Sequence, residues 1–164
     1  MSAQRRAVIS AIVGSVALAV YAALKVVWAL GGQLGVRDPS EWRRMLDSLT
    51  SPEVFGAFWG TVLLDACGAA LLLVLAWPHP GWRQRWRSIL RGLGWLAGAG
   101  LTLVGTAGLL VSLGPLTGLW AEAPGDAGPL ADWVFLVVYG AFWVVGLAFL
   151  TTTASTRSAS RPAS

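Results

Sequence analysis

Residues 7–30 read AVISAIVGSVALAVYAALKVVWAL, an apolar run interrupted by a single charge, Lys25. A helix rises 1.5 Å per residue, so about 20 residues cross the ~30 Å hydrocarbon core of a bilayer. Three more stretches have the same character: 54–77 (VFGAFWGTVLLDACGAALLLVLAW), 92–114 and 133–152. All eight prolines lie outside these four runs. Proline removes a rung from the helical hydrogen-bond ladder, and lipid offers no water to the groups it frees. Each run therefore reads as a transmembrane helix. The expected fold is all-α, an integral membrane four-helix bundle.

Of 164 residues, 55% are hydrophobic and 12% charged. A soluble domain carries about 25% charged residues, because that much polar surface must face water. Half as much excludes a water-soluble globule and leaves a surface for lipid to cover. Residues 1–154 are expected to form one membrane domain, and the polar, aperiodic stretch 155–164 a disordered cytoplasmic tail. Trp28, Trp77, Trp95 and Trp133 stand at span ends, and Trp42, Trp82, Trp86 and Trp120 in the connections. Indole favours the headgroup level, where its ring is in apolar surroundings and its N–H finds a partner. Cys67 is the sole cysteine, which forbids an internal disulfide and reads as a small packing residue. Arginine outnumbers lysine, represented by Lys25 alone, and asparagine is absent. That bias fits a GC-rich genome and hence a bacterial cell membrane.

The basic residues set the orientation. Arg5 and Arg6 precede the first span, Arg83, Arg85, Arg87 and Arg91 occupy the second connection, and Arg157 and Arg161 follow the fourth. The other side holds Arg37, Arg43 and Arg44 among most of the acids. Arginine-rich loops stay cytoplasmic, so both termini are expected inside the cell. The first apolar run is longer than the 7–15 residues of a signal-peptide core, which favours an uncleaved span.

Two connections carry structure of their own. Asp38-Pro39-Ser40-Glu41 reads as a helix start, with Asp as N-cap and Pro at the first helical position. Trp42, Met45, Leu46 and Leu49 then recur at helical spacing opposite Arg43, Arg44, Asp47 and Ser48. A short amphipathic helix on the outer surface is expected, read as a re-entry helix held by the interface rather than a lid over a cavity. In the second connection His79 sits in a Pro-flanked turn, and a basic interfacial helix is expected from Trp82 to Arg91. Its Arg83, Arg85, Arg87 and Arg91 are candidates for contact with anionic lipid headgroups, each worth about 1 kcal/mol near an anionic leaflet. Nucleic acid is not an expected partner.

Two charges lie inside the spans, Lys25 and Asp65. Each costs about 2.5–3.5 kcal/mol at a helix centre on insertion scales, so each needs a partner or a wet cavity. Side chains lean toward their own helix N-terminus, which brings Lys25 and Asp65 toward each other from antiparallel spans. An interhelical ion pair is the leading expectation, as a packing lock or as a site for ion or proton movement. Tyr21 and Trp28 share a face with Lys25, and Thr61 one with Asp65, making a candidate polar cluster. Gly56 and Gly60 in span two, and Gly94 and Gly98 in span three, are candidate close-packing positions, as is the row Ala7, Ala11, Ser15, Ala19 and Ala23. Val54-Phe55-Gly56-Ala57-Phe58-Trp59 is echoed by Val138-Tyr139-Gly140-Ala141-Phe142-Trp143, and Leu30-Gly31 by Leu113-Gly114. A duplicated hairpin would explain both, although the copies sit at different depths.

The stretch from Tyr21 to Gly32, ending Trp28-Ala29-Leu30-Gly31-Gly32, resembles a segment of small four-span actinobacterial membrane proteins in which this signature closes the first span. The resemblance implies a membrane location and carries no activity or catalytic residue with it. Three function classes stand. One is a non-enzymatic membrane protein acting through lipid contacts, a second copy or another membrane protein. Another is a small transporter or channel component using Lys25 and Asp65. The last is a membrane enzyme on a lipid or quinone, for which spans with no His, no Glu and one Asp hold few acid–base or metal-binding groups. No cofactor and no metal site is expected.

Overall fold

A computed structural model describes residues 2–77, 84–117 and 130–158. Its elements are α1 (Ala3–Ala29), α2 (Pro39–Ser48), α3 (Ser51–Phe55), a π-helical segment (Gly56–Gly60), α4 (Thr61–Ala76), α5 (Gln84–Thr117) and α6 (Asp132–Ser158). Among the described residues four helices are long and apolar enough to cross a membrane: Ala3–Ala29, Ser51–Ala76, Trp86–Gly114 and Asp132–Thr156. The protein is an all-α four-helix membrane bundle.

The signature Trp28–Gly32 is a helix stop. Gly31 takes φ +83°, a conformation that costs glycine nothing for want of a Cβ. The Gly32 N–H donates to the Val27 carbonyl at 2.8 Å and the Gly31 N–H to that of Trp28 at 3.0 Å, which satisfies the last carbonyls of α1. Gly35, at φ +76°, lies so close to Val134 and Trp133 that any side chain would collide with them. Its carbonyl accepts the Ala131 N–H at 2.8 Å, and Val36 pairs with Leu130 as an isolated bridge. The loop after α1 is thereby stitched to the start of α6, with an exposed Arg37–Asp132 ion pair of 2.7 Å beside it.

α1 and α6 form the central pair. α1 contacts α4 on its other side, α5 packs chiefly on α6, and α4 and α5 share little contact beyond the end where Leu75 faces Gly94. Two apolar clusters fill the bundle. Nearer the termini, Ala11, Leu18, Leu72, Leu75, Val145 and Phe149 form one; nearer α2, Leu24, Trp28, Trp42, Phe58 and Val134 form the other. The alanine row of α1 is buried only in part. Ala7 and Ala11 are buried, whereas Ala19 and Ala23 are exposed. A four-residue step advances about 400° around a 3.6-residue helix, so the row drifts off the interface and Leu18 and Lys25 replace it.

Several boundaries differ from those expected. The basic segment of the second connection is not a separate interfacial helix. From Gln84 it runs without a break into the third span, because nothing between Gln84 and Arg91 interrupts helical hydrogen bonding. The resulting helix of 34 residues is about 51 Å long, well beyond the hydrocarbon thickness. α5 also passes through Pro115 to Thr117, whose hydroxyl donates to the carbonyls of Leu113 and Gly114. The first residues assigned to a disordered tail are helical, since α6 continues to Ser158 with Ser155 and Thr156 buried. Cys67 faces outward rather than packing inside.

The candidate glycines divide. Cβ atoms on Gly94 and Gly98 would press on Thr153, Leu75 and Leu150, so these positions do hold helices close. Gly56 and Gly60 have nothing within 4 Å and lie in the π-helical segment on the outside of the bundle. Gly105 and Gly108, not singled out beforehand, make the tightest approach of α5 to α6, a Gly105 Cβ falling 2.6 Å from the Trp143 nitrogen. Gly105→Ala is expected to lower stability by about 1–3 kcal/mol, because backbone cannot yield as a side chain does. Gly56→Ala and Gly60→Ala should be neutral or stabilising by up to about 1 kcal/mol through helix propensity. Thermal unfolding in detergent micelles checks both.

α2 begins where Asp38 accepts hydrogen bonds from the N–H of Ser40 (2.8 Å) and Glu41 (3.1 Å) and from the Ser40 hydroxyl (2.7 Å). The hydroxyl and these amides hold the Asp38 carboxyl below the usual carboxylate range. A depressed native pKa stabilises above the ordinary value and is lost as pH falls through the native one. Amide protection in α2, corrected for intrinsic exchange, should hold above about pH 4 and fade below it, and Asp38→Asn should flatten that dependence.

Candidate functional site

Lys25 comes from the last third of α1 and Asp65 from the first turns of α4, where the helices run antiparallel. The Lys25 Nζ lies 2.7 Å from the Asp65 Oδ2. The residues are 7% and 8% exposed. The expected ion pair is a direct contact. On its other side the ammonium sits over the Tyr21 ring, 3.9 Å from the centroid. An ammonium so placed is attracted by the negative face of the ring as well as by the carboxylate. Asp65 is the acceptor of the strong, charge-assisted bond, and low surrounding dielectric raises its worth.

α6 supplies the third wall. Tyr21 meets Phe142 edge to face at 5.3 Å, and Phe142 in turn meets Tyr139 at 6.4 Å. Tyr139 lies against Gly108 of α5, so these contacts link Tyr21 through α6 to the third span. Toward the α2 end the pair is covered by a stack of three rings. Trp28 lies one turn beyond Lys25, Phe58 two turns before Asp65, and Trp42 of α2 packs on both, at 5.8 Å and 6.3 Å. The Trp28 N–H donates to the Leu34 carbonyl at 2.8 Å, fixing the ring under the loop. Trp42 is 4% exposed and its N–H has no hydrogen-bond partner among the described residues. Toward the termini, Ser15, Leu18, Gly68 and Ala69 close the α1–α4 seam, with the Ser15 hydroxyl donating to Ala69 at 3.5 Å and Leu18 resting on Gly68.

Of the expected cluster, Tyr21 joins the pair, Trp28 belongs to the aromatic cover, and Thr61 does neither. The Thr61 hydroxyl donates back to the carbonyls of Ala57 and Phe58 at 2.7 and 3.0 Å, at the end of the π-helical segment. The wider helical turn there leaves carbonyls without their regular partners, and a threonine hydroxyl is well suited to meet them. Trp42, Phe58, Tyr139 and Phe142 were not placed at the site beforehand. For Trp42 a signal existed, its position on the apolar face of α2, but the choice between lipid interface and bundle interior depends on where α1 ends. α2 is thus seated in the bundle mouth instead of resting on the surface alone.

At the opposite end, α5 carries Arg87 and Arg91, and Arg91 donates to the Thr156 carbonyl at 3.4 Å. Gln4 and Thr152 tie the same end together, donating to Ala76 at 2.9 Å and Ala7 at 3.4 Å. Arg83, His79, Trp82 and Trp120 lie outside the described residues, as do 159–164.

The arrangement can hold a charge pair out of water, and each partner is spent on the other. Breaking a buried pair strands a charge and costs about 3–5 kcal/mol, whereas replacing both members with apolar groups is often neutral or stabilising. Lys25→Met and Asp65→Leu should each lower unfolding stability in micelles by about that amount, and the double variant should recover most of it. Additive losses would show that the two residues do not act as a pair.

No protein-family model matches the chain, and no curated protein or solved structure is significantly similar to it.

Proposed function

We propose that this chain is a non-catalytic bacterial cell-membrane protein, with both termini cytoplasmic, that works through contact with anionic lipid headgroups at its inner face. The observation that carries this reading is the disposition of charge. The two charges within the spans neutralise each other, while the termini and the second connection carry eight arginines and no acid, against three arginines and seven acids on the other side. Because α5 outreaches the hydrocarbon, its Arg87 and Arg91 stand at headgroup level on a rigid helix. A second copy of the chain or another membrane protein is the alternative occupant of that face. Membership among the small actinobacterial four-span proteins that share the Trp28–Gly32 signature belongs to the same proposal.

A small carrier built on Lys25 and Asp65 is the second reading, favoured by two tyrosines close to an intramembrane ion pair. The direct contact and the aromatic cover weigh against it, since a carrier must open such a pair to water. It would predict a flux in liposomes that Asp65→Asn abolishes.

The leading reading is tested in nanodiscs of mixed phosphatidylglycerol and phosphatidylcholine, by measuring which lipid stays with the protein on mild delipidation. The wild type should retain the anionic lipid preferentially. Arg83→Gln and Arg85→Gln together should reduce that enrichment by an order of magnitude or more, at about 1 kcal/mol per arginine. Arg87 and Arg91 are left in place because the Arg87 Nε is buried and Arg91 donates to the Thr156 carbonyl. Equal retention of both lipids by the wild type, or a reporter placing the C-terminus outside, would overturn the proposal.

A further inference from the structure

The Lys25 ammonium lies between two groups that each have supports besides Lys25. Tyr21 is braced edge to face by Phe142 of α6. Asp65 is carried by α4, whose seam with α1 is fixed further along by Leu18 on Gly68 and Ser15 on Ala69. A carboxylate on one side, an aromatic face on the other and a cover of three rings against water together make a receptor for an alkylammonium ion. The carboxylate neutralises the charge, the ring face attracts it, and exclusion of water strengthens both. From the geometry we infer that Asp65 and Tyr21 form an alkylammonium-binding site whose resident ligand is the chain's own Lys25, and that the site accepts a free primary ammonium once this tether is shortened.

The class of ligand follows from the side chain. Lysine beyond its Cβ is a three-carbon chain ending in an ammonium, so Lys25→Ala vacates the shape of n-propylammonium. In the intact chain the tethered group occupies the site at a high effective concentration, which a free amine at millimolar level does not displace. Lys25 therefore acts as a built-in occupant that closes the site. The inference rests on the pair and its walls and not on the lipid-facing arginines, so the two readings fail independently.

The test is chemical rescue of the full-length Lys25→Ala protein in detergent micelles. Its unfolding temperature is followed against n-propylammonium chloride, with sodium chloride at equal ionic strength and n-propanol as the uncharged analogue of equal size. A saturable rise is expected for K25A with the amine, and none with n-propanol, in the wild type, or in K25A/D65N. In K25A/Y21L the amine should bind about fivefold more weakly, the cost of losing one ring face. An unchanged K25A, or an equal rise in K25A/D65N, would overturn the inference. If K25A emerges from membranes aggregated, the yield of monodisperse protein on solubilisation with and without the amine is the readout, and the same comparisons decide.

Discussion

An ammonium and a carboxylate held 2.7 Å apart, both more than nine-tenths buried, are the constraint around which this bundle is arranged. Either charge alone would be costly in an apolar interior, and the cost falls only if the two stay in contact. Contact sets the register of α1 against α4, since sliding either helix by one turn would part the charges by about 5 Å. It also explains why so much aromatic surface gathers here. Tyr21, Trp28, Trp42 and Phe58 exclude water from a pair that water would weaken, and Tyr21 adds its ring face to the charge balance.

α2 owes its position to the same need. Its capped, amphipathic sequence would suit any membrane surface, yet Trp42 descends between Trp28 and Phe58 and closes the bundle mouth. Burying its N–H without a partner costs about 1–3 kcal/mol, which the apolar contacts of a full indole ring offset. The helix stop at Gly31 and Gly32 and the stitch from Gly35 to Ala131 hold the loop that delivers α2 to this place. Sealed at one end and densely packed at the other, the bundle gathers arginines without acids on the side of its termini and an excess of acids on the side of α2.

The echo between spans two and four shows how strongly context governs the outcome. Val54–Trp59 and Val138–Trp143 share a pattern, and Gly56 and Gly140 both face open space, but Gly56–Gly60 is π-helical while the second copy is regular α-helix packed on α5 and α1. Leu30-Gly31 ends a helix, whereas Leu113-Gly114 lies within one. What differs is the neighbour. α6 runs between α1 and α5 and packs along both, whereas α4 meets α5 at little more than one end.

Much was legible without coordinates. Span number and helical state follow from the solvent, because lipid leaves a long, proline-free apolar run only the helix as a way to satisfy its backbone. The approach of Lys25 to Asp65 was legible for the same reason, as two charges in otherwise apolar, antiparallel spans have few ways to be satisfied. The Asp38 cap was written in local sequence as well. The sequence was silent on which helices neighbour which, because in lipid every face of every span is apolar and no amphipathic stripe marks the buried one. Hence Gly105 rather than Gly56 makes the close contact, Cys67 faces out, the basic segment joins α5, and Phe142 of the fourth span braces Tyr21 of the first. Those outcomes depend on the shape fit between faces of like polarity, which exists only once the helices have met.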